Sequence, residues 1–554
     1  MSTTVGTLFT NNLSLVGSTK VTNLETVNDL IGFEYLILNN INLVHKYPGI
    51  VTPFSTKWLI VDGDRSITLP LVDPVLLNLP DSVYDFIVDW GDGSTSTITD
   101  SNWNTASHTY PTDAEYTVNI TGTIQAWSFA YNRTSKDIII SVEQWGCLNL
   151  NFTNADFINF SYSYGVVIGQ SIDATFYECS HLTLSNVTDV INLTHILSTC
   201  YMFYGCGDIT LINNINNWNV SSGIVYAASM FQDCTQFNDD ISNWVCGAAS
   251  VDLMFAGCNN FNNGDFAGQS NKPLNNLLSV PTWISAVYMF ENCDSFNQDI
   301  YGWNLVSEVG FLYLQGMFQD ANSFNRPLPW DTSVVINISF MFVGANNFNQ
   351  PLPWDTSSVT TMESTFEATD SFNQDLSSWN TSNVTTMQSM FYHANIFNNG
   401  GQPLTWDTSA VTDMFNMFRD TQFNQPLPWD TSSVVTMQGM FNNATLFNQD
   451  ISLWNTINVV FMDNMFNGAS AFNQPGIGQW NIDSLVPLGM SGMLDNSGIT
   501  NSNYNLILTG FDSGVIPYGI TLGANNCQAT SAAAITARNE LIGTYGWTIN
   551  DIPP

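Results

Sequence analysis

A motif of roughly 23 to 28 residues recurs from about Phe176 to Leu494. Its clearest copies are MFVGANNFNQPLPWDTSSVTTM (341–362) and MFNNATLFNQDISLWNTINVVFM (440–462). Each copy carries a Met-Phe or Thr-Phe pair, whose phenylalanines are Phe203, Phe231, Phe255, Phe290, Phe318, Phe342, Phe366, Phe391, Phe418, Phe441 and Phe466. A repeat of this length predicts a solenoid, in which each copy packs against its neighbours along the chain.

The spacing of apolar residues within one repeat predicts a short helix. Met387, Met390, Phe391 and Ala394 stand at i, i+3, i+4 and i+7, which is one face of a helix. The following segment, Trp-Asp-Thr-Ser-x-Val, is rich in β-branched and hydroxyl residues and predicts a short strand that stacks in parallel with its equivalents. The sequence therefore predicts an α/β repeat solenoid with short parallel strands and helical turns, and we expect Phe391 and Phe441 to be fully buried in it.

Two other repeat positions predict regular columns of side chains. An Asn after the second Phe of the repeat is expected to satisfy backbone groups at the same bend in each copy. These residues are Asn325, Asn349, Asn373, Asn398, Asn424, Asn448 and Asn473. The tryptophans form the second column, which is either a stripe that binds glycan rings or a half-buried packing stripe. The candidate glycan-binding residues are Trp330, Trp354, Trp379, Trp406, Trp429 and Trp454.

Five of the nine cysteines stand three residues after the repeat Phe: Cys179, Cys206, Cys234, Cys258 and Cys293. In several later repeats an Ala takes the same position, as at Ala394 and Ala444. Cys and Ala are both small and readily buried, so we predict packed thiols in place of disulfides. A spacing of one repeat is also unlike the spacing of metal ligands.

The charge of the chain excludes some partners. Its 47 acidic residues against 10 basic ones give a net charge of −37. Phosphate contacts need clustered Lys and Arg, so nucleic acid and anionic membrane surfaces are not expected partners. No apolar stretch is long enough to predict a membrane-spanning helix.

The first 20 residues lack the basic start and apolar run of a secretory signal. We therefore expect either a leader that has been removed or release in a lysing cell, as for virion proteins. The second route favours a virion surface over a bacterial cell surface.

A small β-domain is predicted before the repeats. Phe86, Val88 and Trp90 alternate up to the turn Gly91-Asp92-Gly93, and a second alternating strand contains Tyr116 and Val118; such a pair predicts a small β-sandwich. Asp89, Asp92 and His108 lie in this region, either as turn caps and a hydrogen-bonded histidine or as a metal or catalytic cluster.

Several segments together resemble a known family. The string FNQPLPWDTSSVTTM resembles the repeat of BspA-like leucine-rich-repeat surface proteins, which is shared with mycoplasma lipoproteins. Residues 84–122 resemble a polycystic-kidney-disease (PKD) domain through WGDG and HTY, and NELIGTYGWTIND (539–551) resembles the C-terminal cap of that family. The resemblance implies a PKD-like β-sandwich (55–137), a BspA-like, leucine-rich-repeat-like solenoid (138–498) and a cap (499–554). Residues 1–54 match no part of it and form an N-terminal segment, which is either an anchor to a larger assembly or a cap on the PKD-like domain.

No constellation of catalytic residues is recognisable. The five histidines are scattered, and no HExxH, GxSxG, Walker or Rossmann motif occurs. We therefore predict no enzyme activity, no catalytic or metal site and no cofactor.

Two functions remain open at this point. In the first, the repeats attach a virion fibre or capsid decoration to a host glycan or protein, while the N-terminal region holds the parent particle or envelope. In the second, the protein is a structural spacer or fibre component. A bacterial cell-surface adhesin is a further alternative, and oligomers are compatible with each.

Overall fold

The computed structural model describes residues 52–554, except 62, 64, 78–81, 151–173, 194–195, 197, 219, 221–225, 248–249, 266–270, 280–284 and 306–309, together with the backbone of three short strands before residue 52. The expected anchoring segment, residues 1–54, therefore lies almost wholly outside the described residues. The chain forms two compact units: residues 1–226 with 233–239, and residues 227–232 with 240–554.

Within the described residues, the first unit contains ten strands and one short α-helix. In chain order these are β1 (Ser14–Leu15), β2 (Leu36–Leu38), β3 (Ile41–Asn42), β4 (Phe54–Ile60), β5 (Ser66–Thr68), α1 (Pro74–Leu77), β6 (Tyr84–Asp89), β7 (Thr95–Thr99), β8 (Ser107–Thr109), β9 (Ala114–Ile124) and β10 (Ile139–Gln144). A five-stranded sheet has the order β10-β4-β9-β6-β7, and each of its strand pairs is antiparallel. β5 pairs with β8, and β1, β2 and β3 form a separate antiparallel sheet.

The alternation in β6 shows why this sheet has one packed face. Tyr84, Phe86 and Val88 are buried, whereas the residues between them are exposed, as the period of a half-buried strand requires. The predicted pair of alternating strands is confirmed, because β6 lies directly beside β9. The expected boundary between residues 137 and 138 cuts this sheet, since β10 pairs with β4.

In its described part, the second unit contains two short strands within the repeats and a closing segment with two α-helices and two strands. These elements are β11 (Leu312–Tyr313), β12 (Val335–Asn337), α2 (Asn501–Phe511), β13 (Thr521–Gln528), α3 (Ala532–Gly543) and β14 (Thr548–Ile552). No α-helix lies in the described part of the repeats. The prediction of an α/β solenoid with helical turns and short parallel strands is therefore wrong. The longer strand pairs of the described chain are mostly antiparallel, and successive repeats are joined mainly by single parallel bridges such as Thr361 with Thr386.

Turns take the place of the predicted helix for a physical reason. Ser389 and His393 have φ angles of 52° and 59°, whereas each residue of an α-helix needs a negative φ. The backbone N–H of Ala394 closes a turn onto the carbonyl of Phe391 in the same repeat. The N–H of Phe391, by contrast, donates to Met417 O in the next repeat at 3.0 Å. Along this segment, one backbone N–H closes a turn within its own repeat and the following N–H donates to the next repeat, in alternation.

Phenylalanine rings form the interior of the repeats. Phe391 and Phe441 are fully buried, so the predicted register is confirmed. The ring centroid of Phe391 lies 5.7 Å from that of Phe366 in the preceding repeat and 3.7 Å from that of Phe397 in its own repeat. The interior is therefore a set of ring columns that run from repeat to repeat.

The small position after each Phe is buried, as predicted. Cys258 and Cys293 each donate a thiol hydrogen bond, at 3.0 Å, to the carbonyl of the Phe in the preceding repeat. Thr369 occupies the same position and donates to Phe342 O at 2.7 Å. The position therefore accepts small side chains. At Cys258, Cys293 and Thr369 the thiol or hydroxyl group donates a hydrogen bond that links two repeats.

A separate arrangement closes the last repeat. Leu522 in β13 bridges to Met490 in parallel, and β14 pairs in parallel with β13. Thr500 and Ser531 cap α2 and α3 by accepting the N–H groups of Asn503 and Ala534, as N-cap residues commonly do. Among the described residues, no helix has the length and apolar character that crossing a membrane requires.

Candidate binding surface

The tryptophan column lies inside the repeats. Trp330, Trp354, Trp379, Trp406, Trp429 and Trp454 are 3 to 5% exposed. The ring of Trp354 lies 6.2 Å from Trp330 and 6.0 Å from Trp379, in parallel stacks, and its Nε1 donates to Leu328 O at 2.8 Å. Neighbouring rings cover its faces and its polar atom is satisfied, so no sugar ring can stack on it. The glycan-binding alternative for these tryptophans is therefore wrong. The column is a packing column, as the other alternative predicted, and it lies inside the repeats rather than half-buried at their surface.

Residues on either side of each buried Trp point outward instead. In one repeat Leu453, Asn455 and Ile457 are exposed, whereas Trp454 and Thr456 between them are buried. A similar alternation occurs in the other repeats of this region, although Ser357, Ser382 and Ser432 are half-buried rather than exposed. Successive side chains of an extended segment point to opposite faces. We call the outward residues the outer array. Its members are Pro329, Asp331 and Ser333; Pro353, Asp355 and Ser357; Ser378, Asn380 and Ser382; Thr405, Asp407 and Ser409; Pro428, Asp430 and Ser432; and Leu453, Asn455 and Ile457.

The central column of the outer array consists of Asp and Asn side chains held by a local turn. In each case Oδ1 accepts the backbone N–H two residues further on, at 2.9 Å from Ser357 to Asp355 and from Ser432 to Asp430. Hydrogen bonds from Ser357, Ser409 and Ser432 lower the pKa values of Asp355, Asp407 and Asp430. These carboxylates are therefore ionised at neutral pH and keep Oδ2 as an acceptor for a partner.

A buried threonine column fixes the backbone beneath the array. Thr356 Oγ1 donates to Asn380 O at 2.9 Å, and Thr408 Oγ1 donates to Asp430 O at 2.8 Å. Each hydroxyl thus holds the carbonyl of the array residue in the next repeat. Neither this column nor the outer array was predicted from the sequence, although the alternation in Trp-Asp-Thr-Ser is typical of an extended segment with one buried and one exposed face.

Cations do not neutralise the array within the described chain. Each of the eight described Lys and Arg residues lies within ion-pair distance of a carboxylate outside the array. The pairs are Lys57 with Glu143, Arg65 with Asp113, Arg133 with Glu178, Lys136 with Asp137, Lys272 with Asp240, Arg326 with Asp299, Arg419 with Asp420 and Arg538 with Asp551. The outer array therefore presents acceptors and negative charge.

Asp89, Asp92 and His108 form turn caps and a packed histidine. Asp89 Oδ1 accepts the N–H of Gly91 at 3.0 Å, and Asp92 Oδ2 lies 2.8 Å from His108 Nε2. Hydrogen bonds from Ser94 and His108 lower the pKa of Asp92 to about 2. Within the part of the chain that the structure describes, no group of three or more His, Cys, Asp or Glu side chains is placed to hold a metal ion.

The stacked turns, internal ring columns and outward array define a repeat protein. The chain belongs to the family described as Mycoplasma protein of unknown function, DUF285, whose model matches residues 170–276, 276–329, 313–403 and 402–506. This membership fits the repeat protein of the BspA and mycoplasma type that the sequence motif predicts. No match was found among curated proteins or among solved structures.

Proposed function

We propose that the protein is a non-enzymatic attachment protein, carried on the outside of a particle, that holds a host glycan or host protein through the outer array. The observation that carries this proposal is the repetition of one outward-facing Asp or Asn position, flanked by Pro, Ser and Thr, in successive repeats. Repetition of a weak contact along one ligand raises the overall affinity without any new kind of contact.

The chemistry of the array suits a polyhydroxylated or cationic partner. Its carboxylates and amides can accept and donate hydrogen bonds, and the exposed Pro353, Pro428 and Leu453 offer apolar surface beside them. Anionic partners are disfavoured, because the net charge is −37 and the outer array contains no Lys or Arg residue. The ligand is therefore a neutral glycan or a basic protein surface, and an acidic glycan is a poor candidate.

The array is suited to binding rather than to acid catalysis. A general acid needs a raised pKa so that it is protonated near neutral pH. Asp355, Asp407 and Asp430 instead have lowered pKa values. Their carboxylates are fixed acceptors.

We place the protein on a virion, as a fibre or capsid decoration, with residues before the repeats as its anchor. The antiparallel sheet formed by β4, β6, β7, β9 and β10 is the PKD-like domain of this proposal, and the repeats are of the BspA-like type. In other surface proteins PKD domains serve as spacers or adhesive units, and in this proposal the domain is a spacer between the anchoring segment, residues 1–54, and the repeats.

Binding of the full chain to a glycan panel and to intact cells tests the proposal. The variant D355N/D407N/D430N keeps the Oδ1 acceptor of each turn and removes three array charges. The matched control D85N/E115Q/D370N removes three charges from exposed positions outside the array. We expect the array variant to lose at least about tenfold in affinity, equivalent to about 1.4 kcal/mol, and the control to bind like the wild type.

Two results would contradict the proposal. Equal loss of binding in both variants would mean that net charge, rather than the array, determines recognition. Absence of binding by the wild-type chain to any glycan and any cell type would leave the spacer function in its place.

A further inference from the structure

We propose that β14 is an interface strand that pairs, antiparallel and across a two-fold axis, with β14 of a second copy of this chain. This inference concerns the closing segment and does not depend on what the outer array binds. It rests on the open edge of β14, on the self-complementary register of its free backbone groups, and on the distribution of charge.

β14 has an unpaired edge among the described residues. It pairs with β13 on one side, with Thr548 opposite Thr521 and Asn550 opposite Gly523, and no other described strand pairs with it. The N–H of Thr548 donates to Ile520 O at 2.9 Å. Since alternate residues of a paired strand direct their N–H and C=O groups to the same side, those of Ile549 and Asp551 point away from β13.

This edge has only part of the usual protection. Natural edge strands are commonly blunted by Pro, Lys and other charged side chains, by bulges or by short length. Thr548–Ile552 holds no Pro or Lys, although Pro553 and Pro554 follow it and its pairing with β13 shifts register after Asp551. Its one charged residue, Asp551, is turned inward: the carboxylate is buried, 2.6 Å from Arg538 Nη2 and 2.9 Å from Tyr504 Oη. The exposed side chains, Thr548, Asn550 and Ile552, are uncharged.

The free backbone N–H and C=O groups of β14 complement those of β14 in a second chain. With the two-fold axis at Asn550, Ile549 faces Asp551 of the second strand and Asp551 faces Ile549. Both pairs then bring N–H and C=O groups together, which is the hydrogen-bonded pair of an antiparallel ladder. All the outward groups of Ile549 and Asp551 are used in this register, and Asn550 faces Asn550 as a non-hydrogen-bonded pair.

The charge distribution favours this end of the chain for contact between copies. Two chains of charge −37 repel each other. Residues 499–554, however, hold three acidic residues, Asp512, Glu540 and Asp551, against Arg538. Exposed apolar side chains lie in the same segment: Leu506 is 57% exposed, Val515 70% and Tyr518 73%. Contact through this segment brings few like charges together, and added salt should strengthen it by screening the remaining repulsion.

Cysteine cross-linking of the full chain tests the register. In a non-hydrogen-bonded antiparallel pair the Cα atoms are about 4.5 Å apart, within the range of a disulfide. N550C should therefore form a covalent dimer on mild oxidation of the native protein. T548C is the matched control on the same exposed face, because its two copies would lie about 13 Å apart at about 3.3 Å per residue.

The supporting result is a reducible dimer of N550C, none of T548C, and wild-type dimers in sedimentation velocity whose fraction rises with salt. Thermal unfolding of both variants establishes that they are folded. A folded N550C that stays monomeric overturns the proposal. Equal cross-linking of T548C also overturns it, since collision rather than register would then explain the bond.

Discussion

The side-chain Oδ1 of Asn373 accepts the backbone N–H of Asn398 at 2.8 Å, one repeat further along the chain. The same bond recurs in the next two repeats. Asn398 Oδ1 accepts the N–H of Asn424, and Asn424 Oδ1 accepts the N–H of Asn448, each at 2.9 Å. The predicted role of these asparagines at a common bend is therefore confirmed. Each of them satisfies a backbone donor that the turn leaves without a partner in its own repeat.

Replacing Asn373 by Ala should destabilise the repeats on either side. The part-buried N–H of Asn398 and the N–H of the exposed Gly400 both lose their acceptor, and loss of a typical hydrogen bond costs about 0.5–1.5 kcal/mol. Asn373→Asp keeps the oxygen and should cost less. Hydrogen exchange of peptides that contain residues 398–400 measures the effect, and equal protection in the wild type and the Ala variant would contradict it.

Replacing Phe391 or Phe441 by Ala should cost about 3–5 kcal/mol, because each ring is fully buried between neighbouring rings. Leu453, which is 97% exposed, provides the control, and Leu453→Ala should stay within about 0.5 kcal/mol of the wild type. Urea unfolding monitored by tryptophan fluorescence measures both. Similar midpoints for all the variants would mean that the register of the repeats is wrong.

Cys234, Cys258 and Cys293 should be thiols that react only after unfolding. All three are fully buried, and burial raises the pKa of Cys234 and Cys293, so the reactive thiolate is suppressed. Mass spectrometry should find them unmodified when native protein is treated with iodoacetamide. They should be modified completely after denaturation without a reductant. Disulfide-linked peptides among them would contradict this prediction.

Asp252 should make the stability of the second unit depend on pH. Burial raises its pKa above the ordinary value of 3.8, although Ser285, Val287 and Ser250 donate hydrogen bonds to the carboxylate. A raised pKa in the folded state favours the protonated form, so this group's contribution to stability falls as pH rises from about 4 through the raised pKa.

Asp252→Asn removes that titration. The melting temperature of the variant relative to the wild type should therefore increase from about pH 4 to about pH 7. Asp370→Asn, at an exposed position, serves as the control for the loss of one negative charge. A constant difference between D252N and the wild type over this range would show that Asp252 does not titrate differently on folding.

The sequence by itself determined which side chains meet. A fixed period places equivalent positions of successive repeats beside each other, so Phe391, the Cys position and Asn373 could be assigned to interior columns and a bend. Burial and hydrogen bonding select the residue type at such positions, and both leave a periodic trace in one chain.

Only the tertiary structure decided how the backbone runs between those positions and which residues face outward. The spacing of Met387, Met390, Phe391 and Ala394 fits a helix and also fits successive turns. The turns form because the N–H of Phe391 finds its acceptor in the next repeat, at Met417 O, rather than four residues back. Trp354 and Asp355 are both compatible with a surface position in sequence. Stacking of Trp354 on neighbouring indoles, with its Nε1 bonded to Leu328 O, turns the ring inward and leaves the carboxylate of Asp355 in solvent, because an ionised group is costly to bury unless it is paired.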